Sequence, residues 1–348
     1  MDRLFLVLLG FVPATAVAYF LHASPVLVFI LSAIAIIPLA KYIGTATEEL
    51  ASQSGSAVGG LLNATFGNAT ELLIGIFALR AGLLEVVKAS ITGSILGNLL
   101  LVLGLAMFAG GLGRAKQTFN ITAAKASAST LLLAAIALVV PALFVLTAPA
   151  AGFPIVEELS LTIALLMIIS YGASLWFSLR THKHLYTEDE ALHTPKWSRK
   201  KSILILLGAT VLVAWMSEIL VGSIEPLIRV FGWTELFIGV IIIAIVGNAA
   251  EHASAVTVAM KNRMDLALQI SIGSATQIVM LVAPLLIFAS IFLGHPMSLV
   301  FNFFEVAALI FSVFIVNSII DDGESNWFEG LQLLVAYLIL AVAFFFYP

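Results

Sequence analysis

GNATELL, residues 67–73, and GNAAEHA, residues 247–253, each set a glutamate beside an asparagine in the middle of an apolar stretch. The two stretches stand 180 residues apart. Sliding the whole sequence over itself by that interval brings Gly67, Asn68, Glu71, Gly93, Ser94 and Leu101 onto Gly247, Asn248, Glu251, Gly273, Ser274 and Leu281, and Glu85 onto Asp265. Self-similarity on this scale is the mark of an internal duplication.

The matrix around the motifs is apolar. Of 348 residues 61% are hydrophobic and only 10% charged, and the mean hydropathy is +1.12. Eleven apolar runs long enough to cross a bilayer follow one another: 4–21, 25–43, 57–81, 85–111, 124–147, 155–179, 202–224, 233–260, 264–293, 300–319 and 328–347. Hydrocarbon offers the backbone no hydrogen-bond partner, so these runs are expected to be helices. The first is read as a retained helix rather than a cleaved leader, because Asp2 offsets Arg3 and the run is long. The absence of cysteine removes disulfides, thiolate metal sites and thiol catalysis.

The expected fold is therefore an all-α integral membrane protein with eleven transmembrane helices. The second to sixth runs fall in register on the seventh to eleventh, giving one extra helix and two five-helix repeats. Five is odd, so the second repeat enters from the opposite side, an inverted-topology repeat of the kind found in secondary transporters. The expected division is 1–22 (extra helix), 23–181 (first repeat), 182–200 (cytoplasmic linker) and 201–348 (second repeat). With the N-terminus inside, thirteen of the sixteen Lys and Arg residues fall on the inner side. That bias predicts a cytoplasmic N-terminus and an outer C-terminus in the cell membrane. The linker's Glu188, Asp189 and Glu190 read as a solvated charge run, with a calcium-sensing or partner-binding cluster as the alternative.

Glu71 lies nine residues before Arg80 and Glu251 nine before Met260, so each sits about 14 Å from the end of its run, close to mid-membrane. The three-or-four spacing of Gly60, Ala64, Gly67, Asn68, Glu71, Gly75 and Ala78 makes one small, polar helix face; Ala244, Gly247, Asn248, Glu251 and Ala255 make another. Small faces let helices approach closely, so the two motif helices are expected to cross and enclose a polar pocket. A carboxylate at the bilayer centre costs about 2.5–3.5 kcal/mol on insertion scales, which a packing clamp built from Ser or Thr would avoid.

Two carboxylates with amide oxygens form a hard, oxygen-only donor set suited to Ca2+. Zinc chemistry is not expected: HExxH is absent, the residues around His252 reading AEHAS. His252 is either a proton-sensitive neighbour of the pocket or a packed polar residue. Bare paired carboxylates in a low-dielectric pocket are neutralised by one dication or by two protons, and competition between the two is a mechanism for antiport. Ser94, Asn98, Ser274 and Gln277 are candidate supporting donors, with interhelical bonding as the alternative role. Gly93 and Gly273 are expected to permit close approach to the motif helices. The turn DDGESNWFEG, 321–330, reads as a cap by Ser325 or Asn326 on the last helix, or as a funnel that attracts cations.

GGLLNATFGNATELLIGIFAL (59–79), ELFIGVIIIAIVGNAAEHASA (235–255) and DDGESNWFEG resemble the paired signature segments and C-terminal turn of the calcium/proton antiporters, the cation/proton exchanger branch of the calcium/cation antiporter superfamily. The similarity is greatest to bacterial members and extends over essentially the whole chain. The resemblance implies export of cytosolic Ca2+ in exchange for H+, with Glu71 and Glu251 as shared Ca2+ and proton ligands and Asn68 and Asn248 beside them. His252 matches the family's GNAAEH histidine. Ca2+ and H+ are then transported ions, with no cofactor and no enzymatic turnover. Expected partners are the two ions and the lipid bilayer, without nucleic acid and with a homo-oligomer allowed. A sodium-coupled calcium exchanger is the alternative reading, although the Thr-Ser and Pro-Glu patterns usual there are missing. A divalent cation channel is a more distant one.

Overall fold

Long apolar runs leave each peptide group no partner but its own helix, and the chain is helical nearly throughout. The computed structural model describes residues 3–54, 56–150, 152–182 and 195–348, so Glu188, Asp189 and Glu190 lie outside the described residues. In chain order the helices are α1 (Arg3–Leu8), α2 (Phe11–Phe20), α3 (Pro25–Ser54), α4 (Ser56–Phe66) and α5 (Ala69–Arg80). Then come α6 (Leu84–Gly111), α7 (Ile121–Thr147), α8 (Phe153–Thr181), α9 (Arg199–Phe231), α10 (Glu235–Met260), α11 (Met264–Phe292), α12 (Phe303–Asp322) and α13 (Trp327–Phe346). Among the described residues nine of these, α3 and α6 to α13, are long and apolar enough to span a bilayer.

The two remaining apolar runs take another form. The first bends at Leu9 and Gly10 into α1 and α2. The third breaks at Gly67 and Asn68 into α4 and α5, a break that composition alone does not announce.

Helix ends are fixed locally. Asn120 caps α7, Ser198 caps α9 and Thr234 caps α10, each side-chain oxygen accepting an N–H three residues on. Asn302 with Glu305 and Asn326 with Glu329 form reciprocal capping boxes at α12 and α13. Of the two expected caps for the last helix, Asn326 is the one used. Ser325 is instead buried in a two-residue antiparallel pairing of β1 (Gln117–Thr118) with β2 (Glu324–Ser325). The acidic turn is engaged in ion pairs, Asp321 with Lys125 at 2.9 Å and Glu324 with Lys116 at 2.5 Å.

Loops gather at two ends, as antiparallel alternation demands. At one end Gln117 donates to Ala259 O and Asn262 Oδ1, Arg114 to Met260 O, and Asn120 N–H to Asp265. The end of the linker docks there too: Glu49 Oε2 accepts the N–H groups of Lys196 and Trp197 at 2.8 and 3.0 Å, and Gln53 donates to Trp197 O. At the other end Leu299 N–H donates to Ser160 Oγ, and Arg80 pairs with Glu218.

The core is set by α6 and α11. Within their apolar windows 83% and 61% of residues are buried, against 22% in both α8 and α13, so the former pair is enclosed and the latter faces outward. Lipid tails are as apolar as leucine, so helix association rests on close packing and interhelical hydrogen bonds rather than on apolar transfer. The tightest crossing lies between α6 and α10. A Cβ on Gly93 would overlap the backbone of Val240, and one on Gly239 would overlap Ala89 and the backbone of Val86. The expectation for Gly273 is corrected: a Cβ there would meet nothing within 4 Å, so α11 gains no close approach from it. A glycine that matches a contact glycine in sequence need not make the same contact, because each position packs against different neighbours.

Candidate ion-binding site

The break between α4 and α5 places a helix N-terminus inside the molecule. Asn68 stands just before it, at φ −103° and ψ 20°, and Glu71 lies in its first turn. An N-terminus favours negative charge, since its free N–H groups and aligned peptide dipoles are positive. The Asn68 amide reaches across to α11, Nδ2 donating to Gln277 Oε1 at 2.6 Å.

Glu71 lies flat against α10. A Cβ on Gly247 would stand 3.3 Å from Glu71 Cγ and 3.6 Å from its Oε1, so this glycine makes the room the side chain occupies. Glu251 follows Gly247 by one helical turn, so the side chain of Glu71 packs against the turn that precedes Glu251. Both glutamates are half-buried, and each has an Oε2 atom shielded from solvent with no hydrogen-bond partner among the described residues. Ser274 of α11 lines the same cavity as Glu251.

A buried amide network ties these elements together. Asn248 Nδ2 donates to Ser94 Oγ of α6 at 3.0 Å and to Ala244 O at 2.9 Å. Asn98, also on α6, donates through Nδ2 to Asn248 Oδ1 and to Ser274 Oγ, both at 3.0 Å. Ser94, Asn98, Ser274, Asn68 and Asn248 are all buried, so each bond is made away from water. Ser94 and Asn98 on α6 and Gln277 on α11 thus meet the motif asparagines across helix boundaries, and Ser274 joins the network through Asn98. In both α6 and α11 the helix widens just there, into π-helical turns at Gly97–Val102 and Ile278–Val282. Such turns are frequent at functional positions. His252 is half-buried, lines neither cavity described below, and has a shielded Nε2 without a partner among the described residues.

A cavity of about 310 Å3 leads to this cluster. Glu251, Ser274 and Gln277 form its inner wall, while Lys41, Glu48 and Gln269 line it towards the end of the molecule that holds the 260–264 turn. Glu71 lies beyond it, on a void of about 10 Å3 bounded by Ser94, Ile243 and Leu286, and Gly247 lines both spaces. Glu251 is thus reached from the cavity and Glu71 is set one layer deeper.

Lys41, Glu48, Asn63, Thr70 and Gln269 were not among the expected pocket residues. One signal was present: Lys41 and Glu48 stand seven residues apart, on one face of α3. The donor chemistry around the two glutamates is oxygen and amide only. Among the described residues no group of three or more His, Cys, Asp or Glu could hold a metal ion by itself. A hard cation fits such a site, completing its six to eight ligands with other oxygens.

Comparison with known proteins shows the family. The sodium/calcium exchanger protein family model matches residues 24–180 and 201–346. The Ca(2+)/H(+) antiporter ChaA of Bacillus subtilis is 47% identical over 352 residues, covering 99% of each chain. A Ca(2+)/H(+) antiporter of Synechocystis is 47% identical over 365 residues, covering 100% of this chain and 98% of its own. The solved structure of native YfkE superposes with a TM-score of 0.88 at 44% identity, over 99% of this chain and 100% of the other. The two curated relatives are named as antiporters, and the chain belongs to the sodium/calcium exchanger protein family.

Proposed function

We propose that the protein is a secondary active transporter that exchanges cytosolic Ca2+ for external H+ by alternating access. The observation that carries this reading is the carboxylate pair: Glu71 packs against Gly247, one helical turn before Glu251, and each glutamate has a shielded oxygen that no described residue bonds. Such a pair calls for neutralisation, and a dication or protons supply it in turn. Relatives at 47% identity named Ca(2+)/H(+) antiporters support both ions.

The layout we infer has eleven spans, with the bent α1–α2 stretch and the broken α4–α5 pair joining the nine continuous ones, and two inverted five-helix repeats. The family model's two separate matches, at 24–180 and 201–346, support that reading. So do π-helical turns that fall 180 residues apart. In this layout Glu71 and Glu251 approach the midplane from opposite directions, Asn68 and Asn248 complete the ion's surroundings, and Ser94, Asn98, Ser274 and Gln277 hold them in place. Lys and Arg concentrate at the end carrying Lys116, Lys196, Lys201 and Lys261, which makes that end cytoplasmic. The cavity approaches Glu251 from the same end, so the conformation is inward-facing. Proton binding on the outer side and Ca2+ release there require the opposite opening.

The test is 45Ca2+ uptake into everted membrane vesicles with an acid interior. Wild-type protein accumulates Ca2+, and Glu71→Gln and Glu251→Gln each abolish exchange while eluting as folded protein on size exclusion, because the amide keeps the shape and removes the exchangeable charge. Uptake driven by a sodium gradient and not by a proton gradient would replace this reading with the sodium-coupled one.

A further inference from the structure

One wall of the cavity carries a charge of the wrong sign for a cation pathway. Lys41, on α3, lines it together with Glu48 and Glu251, and it is the one base among the described residues that does so. Its Nζ donates to Ser254 Oγ at 3.4 Å, and Ser254 lies three residues beyond Glu251 on α10. The ammonium is therefore held on the Glu251 helix about one turn from the carboxylate. None of the ion pairs among the described residues includes it. A lysine whose only task was orientation at the membrane surface would extend its ammonium into the interface; this one is turned inward across the cavity.

We propose that Lys41 sets the affinity of the cavity-facing site for divalent cations, as a tethered counter-ion. With the site vacated, its positive charge faces the bare carboxylates and lowers the energy of the unloaded state. When a dication arrives, the same charge opposes it, with twice the repulsion a monovalent ion would meet. The result is weaker capture from the cytoplasmic side and readier discharge of whatever neutralises the pair. Glu48, seven residues along α3 and exposed, lies on the same cavity and draws cations towards it, so attraction by Glu48 and repulsion by Lys41, held at Ser254 beside Glu251, act in series.

This inference rests on the exchange reading, and one assay separates the two. In everted vesicles the KM for Ca2+ is measured for wild type, Lys41→Met, Lys41→Gln, Lys41→Arg and Lys41→Glu. Removing the charge with Met or Gln lowers KM by about three- to tenfold, Arg keeps it within about twofold, and Glu lowers it further. A purely structural lysine would instead cost protein yield or maximal rate and leave KM unchanged or raised. KM values for Met and Gln equal to that of Arg overturn the assignment of Lys41 while leaving exchange intact. A wild type that moves no Ca2+ under a proton gradient ends the exchange reading and this inference with it. The four substitutions differ in size and polarity, so a folding failure in one leaves the comparison standing; equilibrium 45Ca2+ binding to the purified variants reads the same affinity without transport.

Discussion

Asn98 joins two halves of the molecule through a single amide. Its Nδ2 donates to Asn248 Oδ1 and Ser274 Oγ, and Ser274 lines the cavity beside Glu251. Removing a buried donor strands its acceptors, at about 1–3 kcal/mol for each group left unsatisfied. Asn98→Ala is thus expected to lower Tm and raise the KM for Ca2+, with maximal rate less affected, in vesicle transport and thermal unfolding of the purified protein. The motif residues were legible as a chemical set, because buried Asn and Glu stand out against an apolar background. Their pairings were not. Asn68 meets Gln277, 209 positions away, and Asn248 meets Ser94, 154 positions away, and spacing along one helix carries no information about a neighbour from the other half of the chain.

The two motif elements share the letters GNA yet differ in backbone. At Gly67 and Asn68 the helix stops and restarts; at Gly247 and Asn248 it runs on unbroken through α10. Local propensity, nearly equal in the two places, does not distinguish them. Tertiary contacts do: Asn68 is drawn to Gln277, whereas Asn248 Nδ2 bonds Ala244 O within its own helix and Ser94 beside it. Glycine packing differs in the same way. Gly93→Ala drives a methyl group into the Val240 backbone and is expected to destabilise by about 1–3 kcal/mol, with reduced Tm and loss of transport. Gly273→Ala meets open space, and its added helix propensity leaves Tm unchanged or slightly raised. Equal shifts for the two variants in a thermal unfolding comparison would contradict the packing described at the α6–α10 crossing.

For the whole molecule, the proposed exchange makes one pair of carboxylates serve two ions. Protons and Ca2+ then compete on the cavity side, and the KM for Ca2+ is expected to rise as pH there falls, with the maximal rate at saturating Ca2+ unchanged in the same range. Varying external pH in everted vesicles at fixed internal pH measures this, and a KM independent of pH would separate the proton site from the Ca2+ site. By mass action Ca2+ also raises the Tm of the wild type, and Glu251→Gln removes most of that gain.

The sequence by itself determined the class of molecule, the positions of the apolar runs, the self-similarity at 180 residues and the two acidic motifs, since each is written in local composition, period or likeness of one stretch to another. Tertiary structure alone decided where the third run breaks, which amides join across the halves, that Gly93 rather than Gly273 is the contact glycine, and that Lys41 and Glu48 face the cavity beside Glu251. The physical reason is that helices are fixed by hydrogen bonds four residues apart, whereas a pocket is fixed by which helix faces meet, and that choice belongs to packing over the whole chain.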